Sequence, residues 1–175
     1  MTVITDEMRA LIGVESEPRT AALPLSEEML RRFVHGVMEP DPVHWDPEAA
    51  AASKYGEVVA PPLFPMHGLR RPPGGPDPFD SLQEDPEGDG TQAGRQNGLP
   101  PLNLPFKRLL NGGTEAEFFR LARIGDVITV RSKYAGLTER ESRNGDPMVI
   151  VRVQTTYTNQ DGEVLTVTTS SLIYR

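Results

Sequence analysis

The first part of the chain shows the hydrophobic spacing of helices. One helix is predicted to begin after Ser26, whose side chain can cap it, and to end at Gly36 and Pro40. Its apolar positions follow the i, i+3, i+4, i+7 pattern of an amphipathic helix: Leu30, Phe33, Val34 and Val37. Asp46-Pro47-Glu48 predicts a second helix start, because a capping side chain precedes a proline. An apolar segment, Leu63 to Leu69, predicts a third helix.

Beyond Asn111 the spacing of apolar positions changes to a period of 2, which is typical of β-strands. Strands are predicted from Glu115 to Arg120 and from Ile128 to Tyr134, followed by a long hairpin around the turn Asn159-Gln160-Asp161-Gly162. The positions expected to share a face are Val149, Val151, Val153, Thr155 and Tyr157 in the first hairpin strand, and Leu165, Val167 and Ile173 in the second. This order predicts an α+β domain whose antiparallel sheet covers a helix, for which Leu63–Leu69 is the best candidate.

The chain has 175 residues, so we expect a single domain over 1–175. Eleven of its 17 prolines lie between Pro61 and Pro105, and a Pro/Gly-rich insertion is expected at about 72–105. Loops of this length are either mobile surface insertions or flaps over a site, and the composition favours neither.

Composition narrows the classes of function. With 25 acidic and 18 basic residues the net charge is -7, which argues against a nucleic-acid-binding surface. The chain has no cysteine, so thiolate nucleophiles and cysteine-bound metals are excluded. No apolar run reaches the roughly 18 residues that span a bilayer, and the first residues lack the features of a signal peptide. We therefore expect a cytoplasmic protein with neither nucleic acid nor membrane as a partner.

Of the three histidines, His44 lies among several carboxylates, in the segment Glu39-Pro40-Asp41-Pro42-Val43-His44-Trp45-Asp46. Five residues of extended chain would separate Glu39 from His44 by roughly 16 Å, so the two can cooperate only if the loop turns back. A carboxylate and an imidazole held together could act as general acid and base on one water. The residue types alone also allow a purely structural loop, or a metal site formed by His44, Asp41 and Asp46.

The same segment resembles the signature G-D-x-N-P-x-H of MaoC-like (R)-specific enoyl-CoA hydratases and dehydratases. Further motifs in matching order extend the resemblance over nearly the whole chain except the insertion. They are similar to the N-terminal-type, or FAS1-like, dehydratase domain of that family. These motifs are Val58–Phe64, Leu110–Phe118, Ile124–Val130 and Tyr157–Glu163.

The resemblance implies a hot-dog fold, in which an antiparallel sheet wraps around a central helix. It also implies an acyl thioester substrate carried on coenzyme A or acyl carrier protein, with no cofactor and no metal. The family's catalytic Asp and His fall on Glu39, which would accept the proton of water, and His44, which would orient the water and donate a proton toward C2. Backbone N–H groups of Leu63 or Phe64, at the start of the central helix, would polarise the thioester carbonyl.

The sequence departs from the signature at two positions, because Glu39 stands for Asp and Asp41 stands for Asn. The predicted function is reversible hydration of a 2-enoyl thioester to a 3-hydroxyacyl thioester, a reaction of fatty acid metabolism. The expected assembly is a homodimer, or a heterodimer with another hot-dog subunit. The alternatives are a non-catalytic scaffold subunit of a heteromeric dehydratase and a hot-dog acyl-CoA thioesterase.

Weaker candidates for substrate binding surround the predicted pair. They are Asp41, His67 on the predicted central helix, and the basic residues Arg70, Arg71, Lys107 and Arg108 that flank the insertion and could meet the phosphates of coenzyme A. The ordinary alternatives are a packed or half-exposed histidine and a solvated basic rim.

Overall fold

The structure is a computed structural model that describes residues 2–69, 74, 98–106, 108–142 and 144–175. Most of the insertion expected at about 72–105 lies outside the described residues, so the choice between a surface insertion and a flap stays open. The described residues form short helices and a five-stranded sheet, four of whose strands follow the last helix. The α+β class predicted from the sequence is confirmed.

Both helix starts predicted from capping residues are confirmed. The Ser26 Oγ accepts the Met29 N–H at 3.2 Å, and the Asp46 Oδ1 accepts the Glu48 N–H at 2.9 Å. The helices are α1 (Asp6–Ala10), α2 (Glu27–Val37), α3 (Pro47–Ala52) and α4 (Pro65–Gly68), with a 3-10 helix over Pro42–His44 between α2 and α3. In the part of the chain that the structure describes, no helix is long and apolar enough to cross a membrane.

The sheet is antiparallel throughout, with the strand order β1-β3-β4-β5-β2. The predicted hairpin is confirmed as β4 and β5, and β3 precedes it in a meander. Strand β2 crosses to the far edge and pairs with β5. The bounds are β1 (Arg19–Thr20), β2 (Leu109–Phe118), β3 (Thr129–Glu141), β4 (Pro147–Thr158) and β5 (Val164–Tyr174).

The core forms two apolar clusters against the sheet. In the first, side chains of α2 and Phe64 pack on the sheet, and the Phe33 ring meets the Phe64 ring edge-on with centroids 5.3 Å apart. Its buried members include Leu30, Val34, Ile128, Val130 and Leu165. The second cluster joins Ile4 and Met8 to Tyr134, Leu137, Val149, Val151 and Val153. The predicted buried face of β4 is therefore confirmed at its three valines.

Three helix and strand limits differ from the sequence prediction. Strand β2 begins at Leu109, before the predicted Glu115, because its first residues pair with the end of β5. Helix α2 continues past Gly36 and leaves Val37 49% exposed. The predicted central helix Leu63–Leu69 is helical only over Pro65–Gly68 among the described residues.

The predicted alternation in β5 is wrong. Leu165 is an extra residue opposite the step from Tyr157 to Thr158, and both Leu165 and Thr166 are buried. Such a bulge shifts the side-chain alternation by one residue. Ile173 pairs with Ile150, so it lies on the face opposite to the buried valines of β4.

Candidate active site

The loop between α2 and α3 is held in a fixed turn. Helix α2 ends at Val37 and is capped by Met38, which has a left-handed backbone (φ 53°). The following Glu39 N–H donates to the Val34 carbonyl at 3.0 Å. The Glu39 Oε1 then accepts the Asp41 N–H at 3.1 Å. The chain therefore turns back immediately after the helix, as cooperation between Glu39 and His44 would require.

The 3-10 helix holds Asp41 and His44 at its two ends. The Asp41 Oδ1 caps it by accepting the Val43 N–H at 3.1 Å, and the His44 N–H donates to the Asp41 carbonyl at 3.2 Å. Asp46 begins α3 directly afterwards. Two consecutive caps therefore fix the backbone on both sides of His44.

His44 is buried, with 6% of its surface exposed, and its Nδ1 lies 2.7 Å from the Val59 carbonyl oxygen. A carbonyl oxygen only accepts hydrogen bonds, so Nδ1 carries a proton and donates it. In the neutral imidazole Nε2 then has the lone pair. The Val59 contact therefore fixes both the ring orientation and the nitrogen that is available for chemistry.

A cavity of about 540 Å³ lies over this turn. Both Asp41 and His44 line it, together with an aromatic and apolar wall and three basic side chains. The remaining lining residues are Val43, Lys54, Tyr55, Val59, Pro62, Phe118, Phe119, Arg120, Leu121 and Arg123. Two other cavities in the described part of the chain, of about 300 and 420 Å³, contain no histidine. The larger cavity is therefore the candidate active site.

The basic side chains of this cavity differ in their partners. Arg120 forms a salt bridge with Glu163, and Arg123 pairs with Glu57 at 2.9 Å. Lys54 makes no salt bridge with any described residue, and its Nζ lies 5.0 Å from the ring centroid of Tyr55. The lining of the cavity thus combines cations with aromatic side chains, in a chain of net charge -7.

The two predicted catalytic residues differ in whether they line the cavity. His44 lines the cavity, whereas Glu39 is half-buried and is not among the lining residues. Asp41, predicted only as a weak substrate contact, lines the cavity beside His44. Within the described residues, no group of three or more potential ligands gathers to hold a metal, so Asp41, His44 and Asp46 do not form such a cluster.

The two backbone groups predicted to polarise a carbonyl differ in availability. The Phe64 N–H donates to the Pro61 carbonyl at 2.9 Å, so it is already used, and the Phe64 side chain is in the core. The N–H of Leu63 has no acceptor among the described residues, and its side chain is 46% exposed.

The other sequence candidates lie away from the cavity or outside the described residues. His67 is exposed, stands 5.1 Å from the Phe33 ring, and is not a lining residue. Arg70, Arg71 and Lys107 lie outside the described residues. Arg108 is exposed, and its backbone pairs with Arg175.

Sequence reasoning missed the residues that come from the end of β2 and from the segment after α3. Lys54, Tyr55, Phe118, Arg120 and Arg123 have no shared motif in the sequence. They line the cavity with His44 only because β2 lies at the sheet edge and the segment before β3 returns to Val59. There Val59 pairs with Arg123, and the neighbouring Ala60 N–H donates to the Ala122 carbonyl at 2.8 Å. Two adjacent aromatic residues at a predicted strand end, Phe118 and Phe119, were the one available signal.

An antiparallel sheet packed against helices, and a capped turn that presents a histidine to a cavity, are the features that the resemblance to hot-dog hydratases and dehydratases implies. The chain belongs to the family of the FAS1-like dehydratase domain region, whose sequence profile matches residues 10–168. The resemblance to MaoC-like hydratases and dehydratases is thereby confirmed.

Among curated relatives, a UPF0336 protein of Saccharopolyspora erythraea is 27% identical to this chain. The match covers 95% of this chain and 90% of that protein. Another, from Streptomyces avermitilis, is 30% identical over 78% and 76%.

Solved structures agree on the fold. A chain of the ChsH1-ChsH2 complex from Mycobacterium tuberculosis has a TM-score of 0.69 at 17% identity, covering 92% of this chain and 84% of that chain. The (R)-hydratase of A. caviae involved in PHA biosynthesis has a TM-score of 0.54 at 15% identity, covering 90% and 93%. The HadBC complex of M. tuberculosis, a 3R-hydroxyacyl-ACP dehydratase, has a TM-score of 0.57 at 18% identity, covering 90% and 95%. The hot-dog fold is confirmed.

Proposed function

We propose that this chain catalyses the reversible addition of water to a 2-enoyl thioester, giving a 3-hydroxyacyl thioester. The observation that carries the proposal is the His44 ring, which is buried, oriented by the Val59 carbonyl, and exposed to a cavity that also contains a carboxylate. Membership of a dehydratase family supports a hydro-lyase. A fixed imidazole beside a carboxylate is suited to moving the proton of one water.

Because the lone pair of His44 is on Nε2, the ring first accepts a proton and then donates it. In the direction of hydration, Nε2 accepts a proton from water while the water oxygen bonds to C3, and the resulting imidazolium returns the proton to C2. A nearby carboxylate orients the water and stabilises the imidazolium. The family resemblance implies a different division of roles, in which Glu39 accepts the proton of water and His44 orients the water and donates a proton toward C2. That assignment remains a prediction.

Negative charge develops on the thioester oxygen as C3 is attacked, so the reaction needs a hydrogen-bond donor there. We assign this role to the Leu63 N–H, because it follows directly after Pro62, which lines the cavity, and has no acceptor among the described residues, whereas the Phe64 N–H does. This step requires neither a metal nor a cofactor in our proposal.

The basic rim supports a substrate carried on coenzyme A or acyl carrier protein. Both carriers bring phosphate groups to the mouth of the site, and Lys54, Arg120 and Arg123 line that cavity. Phosphate is bound by Lys and Arg through charge-assisted hydrogen bonds. Lys54 is the best candidate for such a contact, because no described carboxylate forms a salt bridge with it.

We also propose that a second hot-dog subunit completes the protein, as a homodimer or a heterodimer. Strand β2 is an edge strand in the described sheet, and Phe118 and Phe119 at its end are 49% and 62% exposed. Exposed edges and adjacent aromatic side chains are unfavourable in a free subunit. The ChsH1-ChsH2 and HadBC structures are complexes, which supports this assembly.

The exposed edge also supports the second candidate function, a scaffold subunit whose partner carries the chemistry.

A hydration assay on a panel of 2-enoyl-CoA thioesters distinguishes the candidate functions. The assay records the loss of absorbance of the conjugated double bond. Turnover by the purified chain that is lost in His44→Ala supports the hydratase. Turnover only after addition of a second hot-dog protein, and insensitive to His44→Ala, supports the scaffold. Release of free thiol would instead indicate a thioesterase.

A further inference from the structure

We propose that Asp41 is the carboxylate that binds the reacting water together with His44, and that Glu39 acts through Asp41 as a positioning residue. This inference rests on the proposed hydratase function. It assigns the carboxylate role to a residue that aligns with Asn in the family signature, and it moves that role away from the residue aligned with the family's Asp.

The three side chains differ in their position relative to the cavity. Asp41 and His44 line the same cavity, and both belong to one 3-10 turn in which Asp41 is the cap and His44 the last residue. The Glu39 side chain does not line this cavity. A water bound beside His44 in this cavity therefore shares the cavity with the carboxylate of Asp41 and not with that of Glu39.

The two oxygens of the Asp41 carboxylate differ in their hydrogen bonds. One oxygen of Asp41, Oδ1, accepts the Val43 N–H at 3.1 Å, which holds the side chain in place. The other oxygen has no hydrogen bond or salt bridge with any described residue, so it is available to water. Such a half-occupied carboxylate is oriented and still able to accept a hydrogen bond.

The contacts of Glu39 are with the backbone of the turn. Its Oε1 accepts the Asp41 N–H at 3.1 Å, and its own N–H donates to Val34. These contacts tie the backbone of Asp41 to the end of α2.

The water oxygen forms a bond to C3, and the electron pair of the C2–C3 double bond moves into the thioester to give an enolate. One water proton passes to His44 Nε2 and is then returned to C2, while the remaining hydrogen stays on the new hydroxyl group. Asp41 stays ionised, accepts a hydrogen bond from the water, and stabilises the transient imidazolium.

The experiment compares Asp41→Asn, Glu39→Gln and Glu39→Ala with wild type in the enoyl-CoA assay. Asn caps a helix as well as Asp does, so Asp41→Asn keeps the turn and removes only the charge. We expect it to lower kcat by about a hundredfold or more, with little change in KM. Gln keeps the acceptor for the Asp41 N–H, so Glu39→Gln should stay within about tenfold of wild type, whereas Glu39→Ala should lose more.

Thermal unfolding of each variant, with Glu48→Gln on the adjacent helix as the matched control, separates loss of folding from loss of function. The inference is overturned if Asp41→Asn has a kcat near that of wild type, or if Glu39→Gln is as inactive as Asp41→Asn. Either result leaves the hydratase proposal intact. A folded wild type that turns over no enoyl-CoA overturns the proposed function, and this inference falls with it.

Discussion

The Nδ1 atom of His44 lies 2.7 Å from the carbonyl oxygen of Val59. This contact joins the 3-10 turn after α2 to the segment that precedes α4, and it involves two buried residues. Since the carbonyl can only accept, the proton is fixed on Nδ1 and the second nitrogen is left to the cavity. A single hydrogen bond therefore links the packing of the loop to the chemistry of the site.

Replacing His44 should affect both stability and activity. His44→Ala removes the donor to the buried Val59 carbonyl, which costs about 1 to 3 kcal/mol in the free energy of unfolding. It should also lower kcat by about a hundredfold to ten-thousandfold. Urea unfolding and the enoyl-CoA assay measure the two effects. His35→Ala, at an exposed histidine of α2, is the control and should change neither. Full activity of His44→Ala would contradict the assigned role.

Lys54 should contribute to substrate binding and not to turnover. Lys54→Met keeps the contact with the Tyr55 ring region while removing the charge, so KM for an enoyl-CoA should rise by about fivefold with kcat nearly constant. Added salt should raise the KM of wild type and narrow this difference, because it screens exposed charges. Lys133→Met, outside the cavity, serves as control. An unchanged KM in Lys54→Met would rule out a phosphate contact at this residue.

Phe64 and Leu63 are adjacent but should respond very differently to truncation. Phe64 is 2% exposed and packs edge-on against Phe33, so Phe64→Ala should cost about 3 to 5 kcal/mol of stability. Leu63 is 46% exposed, and Leu63→Ala should stay within about 0.5 kcal/mol. Chemical denaturation of both variants measures the difference. Equal losses would mean that the start of α4 is packed differently from the structure described above.

Glu28 should titrate below its ordinary range. Hydrogen bonds from Arg31 and Arg32 lower the pKa of this carboxyl group from 4.5 to about 2. The folded state holds the proton less tightly than the unfolded state, so the stabilisation is complete above pH 4.5 and is lost as the pH falls toward 2. The melting temperature of Glu28→Gln should therefore lie below that of wild type at neutral pH and converge with it in acid. The effect is small because the groups are exposed. An unchanged difference across this range would refute the assigned pKa.

The features that the sequence predicted well are local. The caps at Ser26 and Asp46 and the valine alternation in β4 depend on residues within a few positions of one another, so their spacing is sufficient. The exposure of Val37 and the bulge at Leu165 depend on how a helix ends and how two strands pair. These are properties of contacts between distant segments.

The site was predictable in part for the same reason. His44 and its carboxylate neighbours lie in one short motif, so their type and order could be interpreted directly. The cavity walls come from α3, β2 and the segment before β3, which are far apart in sequence. The motif could not decide which carboxylate faces the cavity, because that depends on side-chain direction within the turn.

The measurement that tests the central claim most directly is the hydration of a panel of 2-enoyl-CoA thioesters by the purified chain and by His44→Ala. Absorbance of the conjugated double bond and release of free thiol are recorded together. The account predicts turnover by wild type, no thiol release, and loss of turnover in a folded His44→Ala variant. Turnover that survives His44→Ala, or a folded wild type that hydrates none of the substrates, would contradict it.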